Sequence, residues 1–438
     1  MTSTITRLKM ASLGDALVRR FPPLYFRFRR ELRQFEESNL AGRQALQDRL
    51  LSKMLGAATD LPGYSGLKGL PIKAFPVLTK ERLRSASYDY LAAPGVLSVA
   101  AATSGSSGIP LALKRSFSSV VFEQAAIDHI VALAGGDFRR DRIAILRGEA
   151  IKAPSDRQPP YWRIERGGRI MNFSVAHLNA ATAQTFVGAL ETFSPGVIWA
   201  YPSALEILAI SMERLGRRMH VPVVLTSSEV LRDEVRAYAE TMFGGCVADY
   251  YGQAERACFA YALKAGAYSF MPSYGKVELQ PVDGGDQSRF RIIATNLRNR
   301  AQPLVRYDTG DIAIVPLEAT GNLETVAMGC VPFFRIEGRE SDYLVASDGS
   351  RLIGMNHIPR SIEGLVQMQI RQVQPDRVLV LAVTDGSPQE ALKTTIAAKV
   401  ASRLPSTMRV EVRFCEAIER EKNGKMPLVV REGITTPG

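Results

Sequence analysis

From about residue 115 to 255, stretches with apolar residues at helical spacing alternate with short, almost wholly apolar runs. These runs are Ile143 to Leu146, Val197 to Ala200, Val221 to Leu225 and Cys246 to Tyr250. Runs so short, with no polar face, read as strands buried on both sides, and their alternation with helices predicts parallel strand–helix units. Ser203-Ala204-Leu205-Glu206 reads as a capping box opening a helix through Met212. Between about 275 and 335 the pattern becomes strands and turns, such as Asp283-Gly284-Gly285-Asp286, which predicts a β-rich subdomain. Beyond Asp342, Met368, Ile370 and Val373 through Val383 read as a hairpin pair of strands. Ser387-Pro388-Gln389-Glu390 then caps a helix with Leu392, Ile396, Val400 and Leu404 on one stripe, and Met408, Val410, Val412 and Phe414 alternate as a strand. The expected fold class is α/β. A large N-terminal domain, 1–340, has parallel-rich sheets flanked by helices plus the β-rich subdomain at about 275–335; a small α+β domain, 341–438, follows. No internal repeat or low-complexity tract interrupts this order.

Composition adds little to the fold but removes some functions. Hydrophobic residues make up 46% and charged residues 23%, ordinary values for a globular chain. The net charge of +11 comes without a long Lys/Arg block, so a basic surface that attracts anionic small molecules accounts for it, and nucleic acid is not expected as a partner. Cys246, Cys258, Cys330 and Cys415 form no CxxC pair, and His129, His177, His220 and His357 are scattered, so neither a zinc site nor a disulfide framework is indicated. No secretory signal or membrane-spanning run is found, and a cytoplasmic location is expected. The stretch Arg19 to Arg30 interleaves aromatics with arginines. An interfacial anchor would have that composition, but Pro22-Pro23 breaks a continuous apolar face, so an amphipathic helix packed on its own domain is expected instead.

Five short segments carry candidate chemistry. Thr103-Ser104-Gly105-Ser106-Ser107-Gly108 offers flexible glycines and small hydroxyl donors, the makings of an anion-binding nest; a plain surface turn would have the same composition. It is not a Walker A loop, because Ile109-Pro110 follows where Gly-Lys-Ser/Thr would close one. Glu255, in Tyr251-Gly252-Gln253-Ala254-Glu255, follows the strand ending near Tyr250, where α/β sheets place ligands. A carboxylate there suits Mg²⁺ between phosphate oxygens, or else a helix start. Asp311 follows Thr309-Gly310 after a short strand from Pro303 to Tyr307, and suits the paired hydroxyls of a ribose as well as a simple turn. Arg339 and, near the C-terminus, Lys425 in Lys422-Asn423-Gly424-Lys425 add cations that fit a ribose or phosphate.

Together with Thr226-Ser227-Ser228-Glu229, Glu337 to Asp342 and Trp199 to Leu205, these segments make the chain, from about residue 45 onward, resemble the adenylate-forming superfamily. Its phenylacetate–CoA ligase branch, with the related CapK-like proteins, is most similar. The resemblance implies an ATP-dependent ligase that activates a small carboxylic acid as acyl-AMP and passes it to a thiol, with coenzyme A as the first choice. A carrier protein, an amine or a hydroxyl is an alternative acceptor, and a non-enzymatic nucleotide-binding regulator is the remaining alternative. It further implies phosphates on Thr103 to Gly108, Mg²⁺ on Glu255, adenine beside Ser228, Glu229, Tyr251 and Gly252, and ribose on Asp311 and Arg339. Lys425 would be catalytic on a mobile C-terminal domain pivoting at Ser341–Asp342. Tyr201, Asp249 and Tyr250 are the acyl-pocket candidates, and a monomer or homodimer is expected. The superfamily's lysine after the loop proline is replaced by Leu111, as in the phenylacetate branch. The segment Leu146 to Trp162, polar and turn-rich, departs from the aryl-ligase pattern, so the acid itself is not implied.

Overall fold

The alternation seen beyond residue 115 builds one eight-stranded sheet. The computed structural model describes residues 17–92, 97–102, 111–148, 151–152, 156–179, 181–282, 286–337, 344–346, 351–352, 358, 362, 364–384, 386, 389–402, 404–419 and 426–432. Strands β3 (Ile143–Leu146), β5 (Ile170–Phe173), β6 (Val197–Ala200), β7 (Val223–Ser227) and β8 (Cys246–Gly252) run parallel. Antiparallel β4 (Trp162–Glu165) closes one edge, and β9 (Phe259–Ala262) with β10 (Tyr268–Phe270) closes the other. The order across the sheet is β10-β9-β8-β7-β6-β3-β5-β4.

Side-chain alternation explains why the runs are apolar throughout. Ala144, Leu146, Ile198, Ala200, Val224 and Val247 face helices α5 (Ala183–Phe193), α6 (Pro202–Arg214) and α7 (Asp233–Phe243). Ile143, Val197, Val223, Leu225 and Ala248 face the other way, toward α1 (Pro22–Glu37) and the almost wholly buried α4 (Phe117–Leu133). The aromatic–arginine stretch thus lies largely on α1, which buries Tyr25, Phe28, Leu32 and Phe35 against α4. Arg20 and the Tyr25 hydroxyl both donate to the buried Asp128, at 2.7–2.8 Å and 2.6 Å. Among the described residues no helix is long and apolar enough to cross a membrane.

The second layer is a four-stranded antiparallel sheet, β11 (Gly275–Pro281), β12 (Arg289–Asn296), β13 (Tyr307–Ile314) and β14 (Arg335–Glu337). Its apolar face packs with Tyr64, Phe75, Tyr90, Leu111 and Leu113. Helix α2 (Leu40–Ala58) and the short α3 (Lys80–Ser85) precede β1 (Ser98–Ala102) and β2 (Ala112–Ser116), which pair antiparallel and end with Ala102 opposite Ala112. Thr103 to Gly108, between them, lie outside the described residues.

The C-terminal unit is a mixed sheet in which β17 (Leu365–Gln374) and β18 (Arg377–Thr384) form the hairpin, β19 (Arg409–Phe414) lies parallel to β18, and β20 (Val429–Arg431) parallel to β17. A short helix, α8 (Leu323–Ala327), and one short strand pair, β15 (Leu344–Val345) with β16 (Arg351–Leu352), precede it. Leu392, Ile396 and Val400 of α9 (Gln389–Ala401) cover the sheet, whose other side brings Val366, Val383 and Ile418 against Ile210 of α6.

Two local expectations change. Helix α6 opens at Pro202 with Tyr201 as its cap residue, so Ser203 is not the N-cap; proline's fixed φ and missing N–H suit the first helical position. Asp311 does not follow a strand but lies within one, because β13 continues through Thr309-Gly310. The register between β12 and β13 slips there, from Arg291 opposite Ile312 to Ile293 opposite Asp308. Gly310, at φ +73°, makes this bulge possible.

Candidate functional site

The parallel strands end along one edge of the large sheet, and Tyr201, Ser228, Glu229, Tyr251 and Gly252 lie there. Chain order runs from β3 outward to β5 and then back across β3 to β6, so the sheet reverses direction between β3 and β6. In open α/β sheets the crevice beyond the carboxyl ends at such a reversal is where ligands bind. Arg147 follows β3, Tyr201 follows β6, Ser228 and Glu229 follow β7, and Tyr251 and Gly252 end β8.

Two side-chain links tie this edge to the second sheet. The Tyr251 hydroxyl donates to Asp311 Oδ2 at 2.6 Å, and Gln253 Nε2 donates to the same hydroxyl at 2.5 Å. Burial and the Asp311 carboxylate push the Tyr251 phenol well above its ordinary pKa, so it stays a donor. The bulge at Gly310 gives Asp311 this position: Thr309 Oγ1 donates to the Ile292 carbonyl at 2.8 Å and accepts from the Asp311 amide at 3.1 Å.

The second link is Glu255, whose residue is only 3% exposed. Its Oε1 accepts from the Tyr307 hydroxyl at 2.9 Å and lies 3.9 Å from Lys80 Nζ. Its Oε2 is buried and has no hydrogen-bond partner among the described residues. Neighbouring residues hold the loop in place: Arg115 donates to the Ala254 carbonyl at 2.7 and 3.2 Å, and Arg256, at φ +56°, lies 3.6 Å from Glu123. A buried carboxylate oxygen without a partner is costly, so its retention points to a group that binds there. A divalent cation fits as the missing partner. Among the described residues no cluster of three His, Cys, Asp or Glu could hold a metal alone, so Glu255 would be one ligand beside oxygens from a phosphate and water.

Ser228 is held at φ +74°, and its Oγ accepts from the Arg147 guanidinium at 3.0 Å. Glu229 bridges backbone groups: Oε2 accepts from the Ser203 amide at 2.9 Å and Oε1 from the Met426 amide at 3.2 Å. It thereby joins the start of α6 to the C-terminal unit, one residue after Lys425. Asp249 is buried, accepting from Thr226 Oγ1 at 2.6 Å and from the Tyr268 hydroxyl. Burial pushes its carboxyl up. Tyr250 points to the opposite face and stacks on Phe259 at 5.2 Å, while Tyr201 is buried with its ring 5.4 Å from the Arg147 guanidinium. Arg339, Ser341, Asp342 and Lys425 lie outside the described residues.

Tyr307, Lys80 and Gln253 were missed by sequence reasoning, as was any role for Arg147, noted there only within a polar run. Tyr307 sits inside the Arg306-Tyr307-Asp308-Thr309-Gly310-Asp311 segment and could have been suspected; Lys80 has no local signal, since only the fold brings α3 to β13.

Over this architecture the chain is similar to solved structures of 2-hydroxyisobutyryl-CoA ligase in the postadenylation state. Against the complex with 2-HIB-AMP the TM-score is 0.63, and against that with R3-HIB-AMP it is 0.62; each comparison has 17% identity and covers 91% of both chains. No curated protein sequence matches. The chain shares the fold of these ligase structures. Residues 344–432 match the CapK C-terminal domain.

Proposed function

We propose that the protein is an ATP-dependent ligase that activates a small carboxylic acid as acyl-AMP and then transfers the acyl group to a thiol, coenzyme A first among acceptors. The observation that carries this reading is the buried Glu255 carboxylate with one oxygen left unpartnered, beside the Tyr251–Asp311 pair at the carboxyl edge of the sheet. In the reaction the acid's carboxylate attacks the α-phosphate of ATP, the bond to pyrophosphate breaks, and the thiol sulfur then displaces AMP from the acyl carbon.

Glu255 would hold Mg²⁺, which when bound supplies positive charge to the phosphate oxygens. Asp311, oriented by Tyr251, would accept from the ribose hydroxyls, with Arg339 assisting. Ser228, Tyr251 and Gly252 would border the adenine. For Glu229 the backbone bonds to Ser203 and Met426 favour a positioning role over direct nucleotide contact. Lys425, next to Met426 in sequence, would neutralise charge between the carboxylate and the α-phosphate. Thr103 to Gly108 would cradle the outer phosphates. The chain's contribution is positioning and charge stabilisation, with no covalent protein intermediate.

The test is acid-dependent ATP–pyrophosphate exchange across aryl, fatty and hydroxy acids, followed by AMP release with and without coenzyme A. Exchange with at least one acid, and AMP release stimulated by coenzyme A, are expected. Exchange without coenzyme A stimulation would shift the acceptor to a carrier protein, amine or hydroxyl. Nucleotide binding with no exchange on any acid would favour a regulator.

A further inference from the structure

Arg147 is a cation at the site with no carboxylate partner among the described residues. It follows β3 directly, at the reversal of the sheet, with its guanidinium 4.3 Å from the Trp199 ring centroid and 5.4 Å from that of Tyr201. An aromatic platform of this kind holds a guanidinium in place while leaving its N–H edge to a ligand. The guanidinium bonds Ser228 Oγ and faces the buried Tyr250 hydroxyl, which leaves further donors of its five, and among the described residues no carboxylate lies within ion-pair distance.

The surroundings repeat the imbalance. Among the described residues the buried Trp199 indole Nε1 has no acceptor. On β5, at the other side of β3, Asn172 is 3% exposed and its Oδ1 has no partner among the described residues; Ile145 pairs in register with both Asn172 and Trp199, so the three share one face, and Arg147 follows two residues after Ile145, just past the end of β3. Buried polar groups are almost always satisfied, so an orphaned donor and an orphaned acceptor in one row beneath Arg147 mark a polar ligand, and the arginine's charge together with the indole N–H marks that ligand as carrying an anion. The distal anion of an acid whose reacting carboxylate lies toward Glu255 and Ser228 meets these requirements.

We propose that Arg147 is a specificity residue that recognises a second anionic group, carboxylate or phosphate, on the acid substrate, with Trp199 Nε1 as a supporting donor. This rests on the adenylating reading for the identity of the substrate, but the anion site can be measured without it. Dicarboxylic and phosphorylated acids of graded length, each paired with a half-amide or neutral analogue, are compared by pyrophosphate exchange and, separately, by equilibrium binding in calorimetry. The wild-type protein and the variants Arg147→Leu and Arg147→Lys are used throughout.

The wild type is expected to favour the doubly anionic acid roughly 10- to 100-fold in binding constant and in kcat/KM, the span of a hydrogen-bonded charge pair. Arg147→Leu erases that ratio and Arg147→Lys keeps part of it. The ratio isolates recognition from folding, because a partly unfolded variant would lose both members of each pair alike. Equal use of charged and neutral acids by the wild type, or a ratio insensitive to Arg147, overturns the proposal. So does an effect confined to KM for coenzyme A, which would assign Arg147 to the acceptor. Arg147-dependent binding of diacids without any exchange would uphold the anion site while removing the adenylating reading.

Discussion

Replacing Glu255 with glutamine separates a ligand from a structural acceptor, because the two roles push stability and activity in different directions. Glutamine keeps the volume and an Oε1 that still accepts from Tyr307 at the present 2.9 Å. Exchanging a charged acceptor for a neutral one there costs about 1 kcal/mol. The unpartnered Oε2 disappears with the charge, a relief of about 1–3 kcal/mol, but the new amide group is itself unpaired at a comparable cost. The 3.9 Å approach of Lys80 contributes little either way at that separation. Net stability should therefore change by no more than about 1 kcal/mol. Activity should respond differently. Losing a stabiliser of developing charge costs about 2.7–4 kcal/mol, a fall of roughly 10²–10³ in kcat, with a raised Mg²⁺ requirement. Tyr307→Phe is the companion: it leaves the carboxylate charge but strips its hydrogen bond, so it should destabilise by about 1–3 kcal/mol while keeping more of the activity. Denaturant melts give the first quantity, and pyrophosphate exchange titrated with Mg²⁺ gives the second. A Glu255→Gln protein destabilised by more than about 2 kcal/mol, with activity lost only in proportion to the folded fraction, would refute the reasoning and make Glu255 a structural acceptor.

Other expectations are independent of that one. Lys425→Ala should lower acyl-AMP formation by about 3–4 kcal/mol in transition-state stabilisation while leaving equilibrium ATP binding nearly unchanged; near-normal pyrophosphate release would remove the lysine from the mechanism. Glu229→Ala deprives the part-buried Ser203 and Met426 amides of this acceptor, at about 0.5–1.5 kcal/mol for each bond, and should speed amide exchange over 426–432; unchanged exchange there would mean that the bond to Met426 holds nothing. Burial pushes the Cys258 thiol up to about 12, so it should resist alkylation in the native protein at pH 8.5 while the exposed Cys330 reacts. Because the folded value lies above the ordinary 9.0, the folded state holds the proton more tightly. Stability from this group is therefore complete below about pH 9 and declines as pH rises toward 12, and Cys258→Ala should flatten the alkaline fall seen in thermal melts.

The chain's own order of residues determined the kind of each element and the chemistry held at its ends. Strands such as Val197–Ala200 are legible because a run apolar on both faces has nowhere to lie except inside a sheet. The stripe Leu392, Ile396 and Val400 is legible because helical spacing brings it onto one face. Glu255 and Asp311 could be picked out because their neighbours form compact local motifs. Partnership was not legible. Tyr251 meets Asp311 across 60 positions, Glu255 meets Tyr307 across 52, and Glu229 meets Met426 across 197. Periodicity fixes which way a side chain faces on its own element, but says nothing of which element is placed opposite. Even Asp311's place within a strand depended on a slip in register against β12, which exists only once the two strands pair. Arg147 shows the same division: its sequence neighbourhood is merely polar, and only the return of the chain from β5 across β3 to β6 sets it on Trp199 and Tyr201 at the mouth of the crevice.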